Sequence, residues 1–500
     1  MPRAFENAPR KLCIAATVVC LCGSWGAALA ADDVVQEPAQ VCASQDLAAG
    51  TPLQRPQLSP ACLGAIDAIA GHRKPQFHFV ASATTTPLDG PEVWSNDLVG
   101  PRLAGIADSR PPALETLPVR TEEELRAAVR NARPGTVIEV QPGTYDFSGA
   151  SIGIDSPGQP DLPIVVRAPA LGSVHLKFSL LEGFRILAPF WTFENLVIEG
   201  ICQDDNRCEH AFHVVGDAVG VVIQNNWVTN FNAAVKVNGK DGRFPDEGII
   251  RYNTFLNDRP RNTDRTVAVL DLVSVSRWRV QKNLIADFGK ASEDLTSYGA
   301  FFKGAGEDNV FEQNLVRCEW RHSGHLRIGF SFGDGGTGRR FCRDGGCRVE
   351  HRRGIARNNI IMNCPNDAGI YLSKSAETLV HNNALIATRG IDVRYPESDA
   401  TILNNIVDGS IRARDGGSFV AQSNIVAPPL ADPSGTVSSD VYVDGLGGDF
   451  RLKDSQAVIG RGVAIEGNGL DLCNQLYGPG SPDIGPIQYG QDIGCLPRVP

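Results

Sequence analysis

The hydrophobic and polar positions first fall into a regular pattern at Thr121. Thr121-Glu122-Glu123-Glu124 is a capping box, in which a Thr hydroxyl and a Glu carboxylate each satisfy a free backbone N–H. Leu125, Ala128, Val129 and Ala132 then lie on one helical stripe, and Pro134-Gly135 ends it. The pattern predicts a helix over 121–132. Thr136-Val-Ile-Glu-Val140 predicts a strand and Pro142-Gly143 a turn.

Beyond this point a short β-branched run leads to Asn and a second apolar run, again and again. The instances end at Asn225, Asn253, Asn283, Asn314, Asn358, Asn382 and Asn404, with spacings of 28, 30, 31, 44, 24 and 22 residues. A period in the twenties with insertions is that of a solenoid. Strands of three to five residues between Asn turns make it a β-solenoid. Asn tolerates the left-handed backbone of a tight bend. Stacked one per coil, its amides can bond along the stack. Such a body has open ends, which the 121–132 helix and a C-terminal segment would cover.

Composition adds to this picture. The 500 residues include 27 Asn, of which 22 fall between Asn195 and Asn424, in keeping with one repetitive body where the length alone suggests two or three domains. The net charge of −10 excludes nucleic acid as a main partner and leaves an anionic substrate open, since basic clusters can line a cleft whatever the total charge. Arg3, Arg10 and Lys11, the apolar run Leu12–Trp25 and Ala28-Leu29-Ala30 form an export signal over 1–30, so a periplasmic or extracellular location is expected, with no membrane association after cleavage. Three of the 13 cysteines leave with it; the other ten suggest disulfides, with Cys202/Cys208 and Cys342/Cys347 as loop staples and Cys42/Cys62 and Cys473/Cys495 tying the ends. No CxxC supports a zinc site. The expected layout is signal 1–30, extension 31–115, solenoid 116–440 and C-terminal cap segment 441–500, as a monomer.

The segments "PGTVIEVQPGTYDF" (134–147) and "PIVVRAPALGSVHL" (163–176), with the amphipathic cap before them, resemble the opening of right-handed parallel β-helix polysaccharide lyases of the chondroitinase B and alginate lyase type; "GGDFRLKDS" and "DIGPIQYG" near the end are common to many β-helix proteins. The resemblance covers about 116–490 and implies an all-β, single-stranded right-handed parallel β-helix with an N-terminal α-helical cap. It implies β-elimination on a uronic-acid-containing glycan, with acidic polysaccharide as the partner. The alternative is a non-catalytic carbohydrate-binding or surface-structural β-helix, since one scaffold carries many functions.

Sites on a β-helix lie where several coils present side chains beside long loops. The interval 283–358, which holds the widest Asn gap and the densest polar chemistry, is therefore where a site is expected. Elimination needs a base and cations that stabilise an enolate-like intermediate. Lys303 in "FFKG" resembles the family's base, and Arg327 in "HLRIG" its carboxylate-neutralising or proton-shuttling partner. His322 and His325, just before Arg327, are further acid–base candidates, and the 318–353 loop is expected to wall the cleft. Arg321, Lys374 and Arg394 are candidates for binding an acidic glycan. No cofactor is required by these residues; calcium is the one ion the resemblance keeps open. The acidic positions expected before Lys303 are Tyr298 and Thr296 here, with Glu293 and Asp294 further upstream.

Overall fold

A computed structural model describes residues 99–489 except 103–104, 107–112, 293, 325, 334–336, 428–436, 454–455 and 478–479. The export signal, residues 31–98, Cys42, Cys62, Cys495, Glu293 and His325 lie outside the described residues.

The predicted helix forms over Glu122–Asn131. Thr121 Oγ1 accepts from the Glu124 N–H at 3.1 Å, and the Glu124 carboxylate reaches back to the Arg120 N–H at 2.6 Å. Its buried Leu125 and Val129 cover the first coils, and the strand Thr136–Val140 follows. Strands then recur in threes. Parallel sheets of 12, 11 and 10 strands run the length of the body, and each coil gives one strand to each. This is a single-stranded parallel β-helix, wound right-handed as parallel crossovers are. Its parallel strands run from Glu115 to Val426, and an antiparallel pair, Tyr442–Asp444 with Asp449–Leu452, packs beyond them. Among the described residues no helix is long and apolar enough to cross a membrane.

The Asn turn joins the 12-stranded to the 11-stranded sheet. Two neighbouring residues divide the work that one Asn was expected to do. The first adopts a left-handed backbone: Asn225, Tyr252, Lys282, Gln313, Asn358, Asn382, Asn404 and Ser423 have φ between 52° and 58°. The second turns its amide inward. Asn226, Asn253, Asn283, Asn314, Asn359, Asn383, Asn405 and Asn424 form one ladder, each Nδ2 donating to the next Oδ1 at 2.9–3.1 Å. At four coils the ladder residue is therefore one position after the Asn expected from the sequence. The ladder amides also bond backbone carbonyls of the preceding coil, as Asn283 does to Ile250 O at 2.9 Å, so these buried polar groups are satisfied.

Apolar side chains fill the interior in columns, among them Phe184, Phe193 and Phe212, then Phe302, Phe311 and Phe330. Trp191 and Trp278 belong to this core and are fully buried.

Candidate functional site

The ten-stranded sheet carries the chemistry on its outer face. Side chains alternate across a strand, so one register row projects outward together. Here that row reads Arg185, His213, Lys236, Asp271, Phe301, Ser331, Tyr371, Asp392 and Arg412, each the register partner of the next. Two residues further along lie Asn238, Val273 and Lys303. The alternate positions, such as Val237, Leu272 and Phe302, point into the core.

Loops stand on both sides of this face. Where the strands begin, the 201–209 loop is closed by Cys202–Cys208 and held to the 257–266 loop by Arg259 and Arg261 on Asp205, at 2.7 and 3.0 Å. Where the strands end, the 337–350 segment is closed by Cys342–Cys347. The Arg343 N–H donates to Gly304 O at 2.9 Å, beside Lys303, and the Arg343 guanidinium grips Asp246 at 2.7 Å. The strand Arg327–Phe332 runs through the middle of the expected 318–353 loop and splits it between the two sides. Cys318–Cys364, a pair not foreseen, ties neighbouring coils. Cys473 is also disulfide-bonded.

At the centre, Lys236 Nζ donates to the half-buried Asp271 carboxylate. Lys303 Nζ leans back over the Phe301 ring, 4.2 Å from its centroid. Burial alone would raise the Asp271 pKa; the charges of Lys236 and Lys303 outweigh it, and the carboxyl is held below its ordinary range. Nearby Glu209 behaves in the opposite way. Burial raises its pKa, opposed by a 2.8 Å hydrogen bond from Asn232 and by the Arg265 charge.

His213 lies one coil before Lys236, with Nδ1 2.9 Å from Glu182 Oε1 and Nε2 2.8 Å from Asn238 Oδ1. His210 is three residues earlier, a spacing that would put it on the other face of a regular strand. The strand is irregular at this point, with no residue inserted against either neighbour: the N–H groups of Ala211 and Phe212 both donate to Ala234 O, at 3.1 and 3.0 Å. The two rings then come to 5.0 Å between centroids. Burial lowers the His210 pKa to about 3, so the ring is neutral.

The residues singled out in the sequence separate into three places. Lys303 joins the central group. Arg327 is the register partner of Ser297, six residues before Lys303 on its strand, roughly 20 Å away at the usual rise. It is only 1% exposed, and its guanidinium holds the loop before it, through Cys318 O and His322 Nδ1, the latter at 3.1 Å. His322 is half-buried against Asn257 O at 3.3 Å, and burial lowers its pKa. Arg321 pairs with buried Asp287 at 3.0 Å and with Asp258 at 3.2 Å. On the late coils Arg394 bonds Asp415 and Tyr371 Oη, and Lys374 sits 5.7 Å from the Tyr395 ring centroid. Asp294, an acidic residue considered for calcium, is held by Lys290 at 2.8 Å.

Glu182, His210, His213, Lys236 and Asp271 went unrecognised in the sequence because their coils have ordinary lengths. The signal was there in "VKVN" and "LDLV", where alternation sets a lone charge outside an apolar strand.

No family model matches the chain, and no curated protein matches it. Among solved structures, it is similar to the pectate lyase Pel9A (16% identity, 76% of this chain and 97% of that one, TM-score 0.48). It is similar also to an alginate lyase from Paenibacillus sp. str. FPU-7 (13%, 62% and 100%, TM-score 0.40). A third is the GH136 lacto-N-biosidase from Eubacterium ramulus (12%, 63% and 68%, TM-score 0.41). A fold does not fix a function, and the reaction is read from this chain's own side chains.

Proposed function

We propose that the chain is an exported polysaccharide lyase that cleaves a uronic-acid-containing glycan by β-elimination on the outer face of the ten-stranded sheet. The observation that carries this reading is the Lys236–Asp271–Lys303 group, set on adjacent coils between two disulfide-closed loops. A polymer lying along the helix axis crosses one coil about every 4.8 Å.

Lys236, fixed by Asp271, is the cation for the uronate carboxylate, which becomes enolate-like as the neighbouring C–H is broken. Lys303 is the base that takes this proton as the polymer displaces water from above Phe301, since desolvation disfavours an ammonium. The electron pair left behind forms the C=C bond and expels the glycosidic oxygen. Asp271 is a positioning residue. Arg327 supports the loop that carries Arg321 and His322 and does not touch the polymer. The described disulfides are in keeping with an oxidising compartment.

One observation favours a second reading. Glu209 and Asp271 both face Lys236, and their pKa values are pushed apart, which is how a hydrolase sets up an acid and a base. The products decide between the two. Incubation with alginate, pectate and glycosaminoglycans is expected to give unsaturated, ultraviolet-absorbing uronate ends; new reducing ends without unsaturation would establish hydrolysis instead. Binding without any product would make the chain a carbohydrate-binding β-helix.

A further inference from the structure

We infer that Glu182, His210 and His213 form a site for one divalent first-row transition metal ion at the early end of the groove. The three side chains each offer one ligand atom, and these atoms all lie within 4.8 Å of one another. Two imidazoles and one carboxylate are a donor set that suits Zn²⁺ and its neighbours and leaves positions open for a further ligand.

The surroundings are those of a built site. A metal-bound histidine usually donates its other ring N–H to a fixed acceptor, which sets the tautomer and the ring plane. Both rings have such an acceptor. His210 Nδ1 lies 3.0 Å from Ala233 O, which leaves Nε2 to the metal. His213 Nε2 lies 2.8 Å from Asn238 Oδ1, which leaves Nδ1 facing Glu182. The irregular backbone at Ala211–Phe212 accompanies the approach of the two rings to 5.0 Å between centroids. His213 Nδ1 and Glu182 Oε1 are 2.9 Å apart. Ligands at ordinary Zn–N and Zn–O lengths and a tetrahedral angle are about 3.3 Å apart, so the metal replaces the shared proton with a small parting of the two groups. Arg185, 3.9 Å from Glu182 and half-exposed, can swing aside. Among the described residues the other cluster of this kind, Cys342, Asp344 and Cys347, has its two sulfurs in a disulfide and is not a rival.

The inference does not depend on the reaction. It is tested on the full-length protein, stripped with chelator and titrated with Zn²⁺ by calorimetry, with Co²⁺ by visible absorption, and with Ca²⁺. One equivalent of Zn²⁺ should bind, Co²⁺ should give the absorption of a nitrogen- and oxygen-ligated site, and Ca²⁺ should bind at least tenfold more weakly. His213→Asn should abolish stoichiometric binding. Glu182→Gln, which keeps the side-chain shape, should weaken it at least tenfold with the melting temperature of the metal-free protein unchanged. Asn238→Ala should weaken it about ten- to a hundredfold. Absence of Zn²⁺ and Co²⁺ binding, equal affinity for Ca²⁺, or undiminished binding in folded Glu182→Gln and His213→Asn would overturn the assignment.

Discussion

The turn between two sheets and the outer face of the third are built on the same coils by opposite rules. At the turn, Asn226, Asn253, Asn283 and Asn314 repeat one residue at one height. On the outer face, the same coils present His213, Lys236, Asp271 and Phe301, a different residue each time. The turn is buried, and every coil poses the same physical problem, a pair of backbone groups that must be bonded. The face meets solvent and has no such problem to solve. Repetition in this chain therefore marks what holds the coils together, and departure from repetition marks where it meets something else.

The comparison can be broken most sharply on the outer face. Lys303→Ala should lower kcat/KM by about a hundred- to ten-thousandfold with the fold intact, read by initial rates and circular dichroism. On the buried side, Asn283→Ala should cost about 2 kcal/mol or more in denaturant unfolding, because Asn253 and Ile250 O lose partners in the interior. Arg327→Leu should behave like the ladder variant, lowering stability by about 2 kcal/mol, and its residual kcat should stay within about tenfold of the parent once folded protein is counted.

Acid should act on the interior as well. His210, His351 and His381 are held neutral by burial, with pKa values of about 3, 3 and 4. The unfolded chain binds their protons near pH 6.5, so between pH 6.5 and 4 it holds more protons than the native state, and stability falls as pH falls. His351→Gln should flatten that slope by about one proton in a series of urea melts. The smallest effect belongs to the left-handed turn position, where Ser423→Gly should gain up to about 1 kcal/mol by relieving the side chain of that backbone.

Much of the scaffold was legible because it is periodic. Thr121, Glu124 and the strand Thr136–Val140 stand where pattern alone put them. The Asn turns did too, except that one residue was given two tasks. Asn225-Asn226 and Asn358-Asn359 present two identical letters, and spacing does not say which one bends and which one bonds. The site was less legible. Lys303 was found through its likeness to a family motif, but its neighbours come from coils 30 and more residues away, set beside it by register. Arg327 was joined to it through likeness to the same family, whereas the two neighbouring strands that carry them set them at opposite ends. The two histidines were hidden by a local irregularity of the strand, which brings residues three apart together without leaving a mark in composition.

The most direct test of the outer face as the working surface is an ultraviolet assay of full-length protein and its Lys236→Ala variant on alginate, pectate and glycosaminoglycans. The account predicts unsaturated uronate ends from at least one of these with the parent protein, and a rate at least a hundredfold lower with the variant, counted on folded protein. A parent protein that releases unsaturated ends equally well without Lys236 would contradict it.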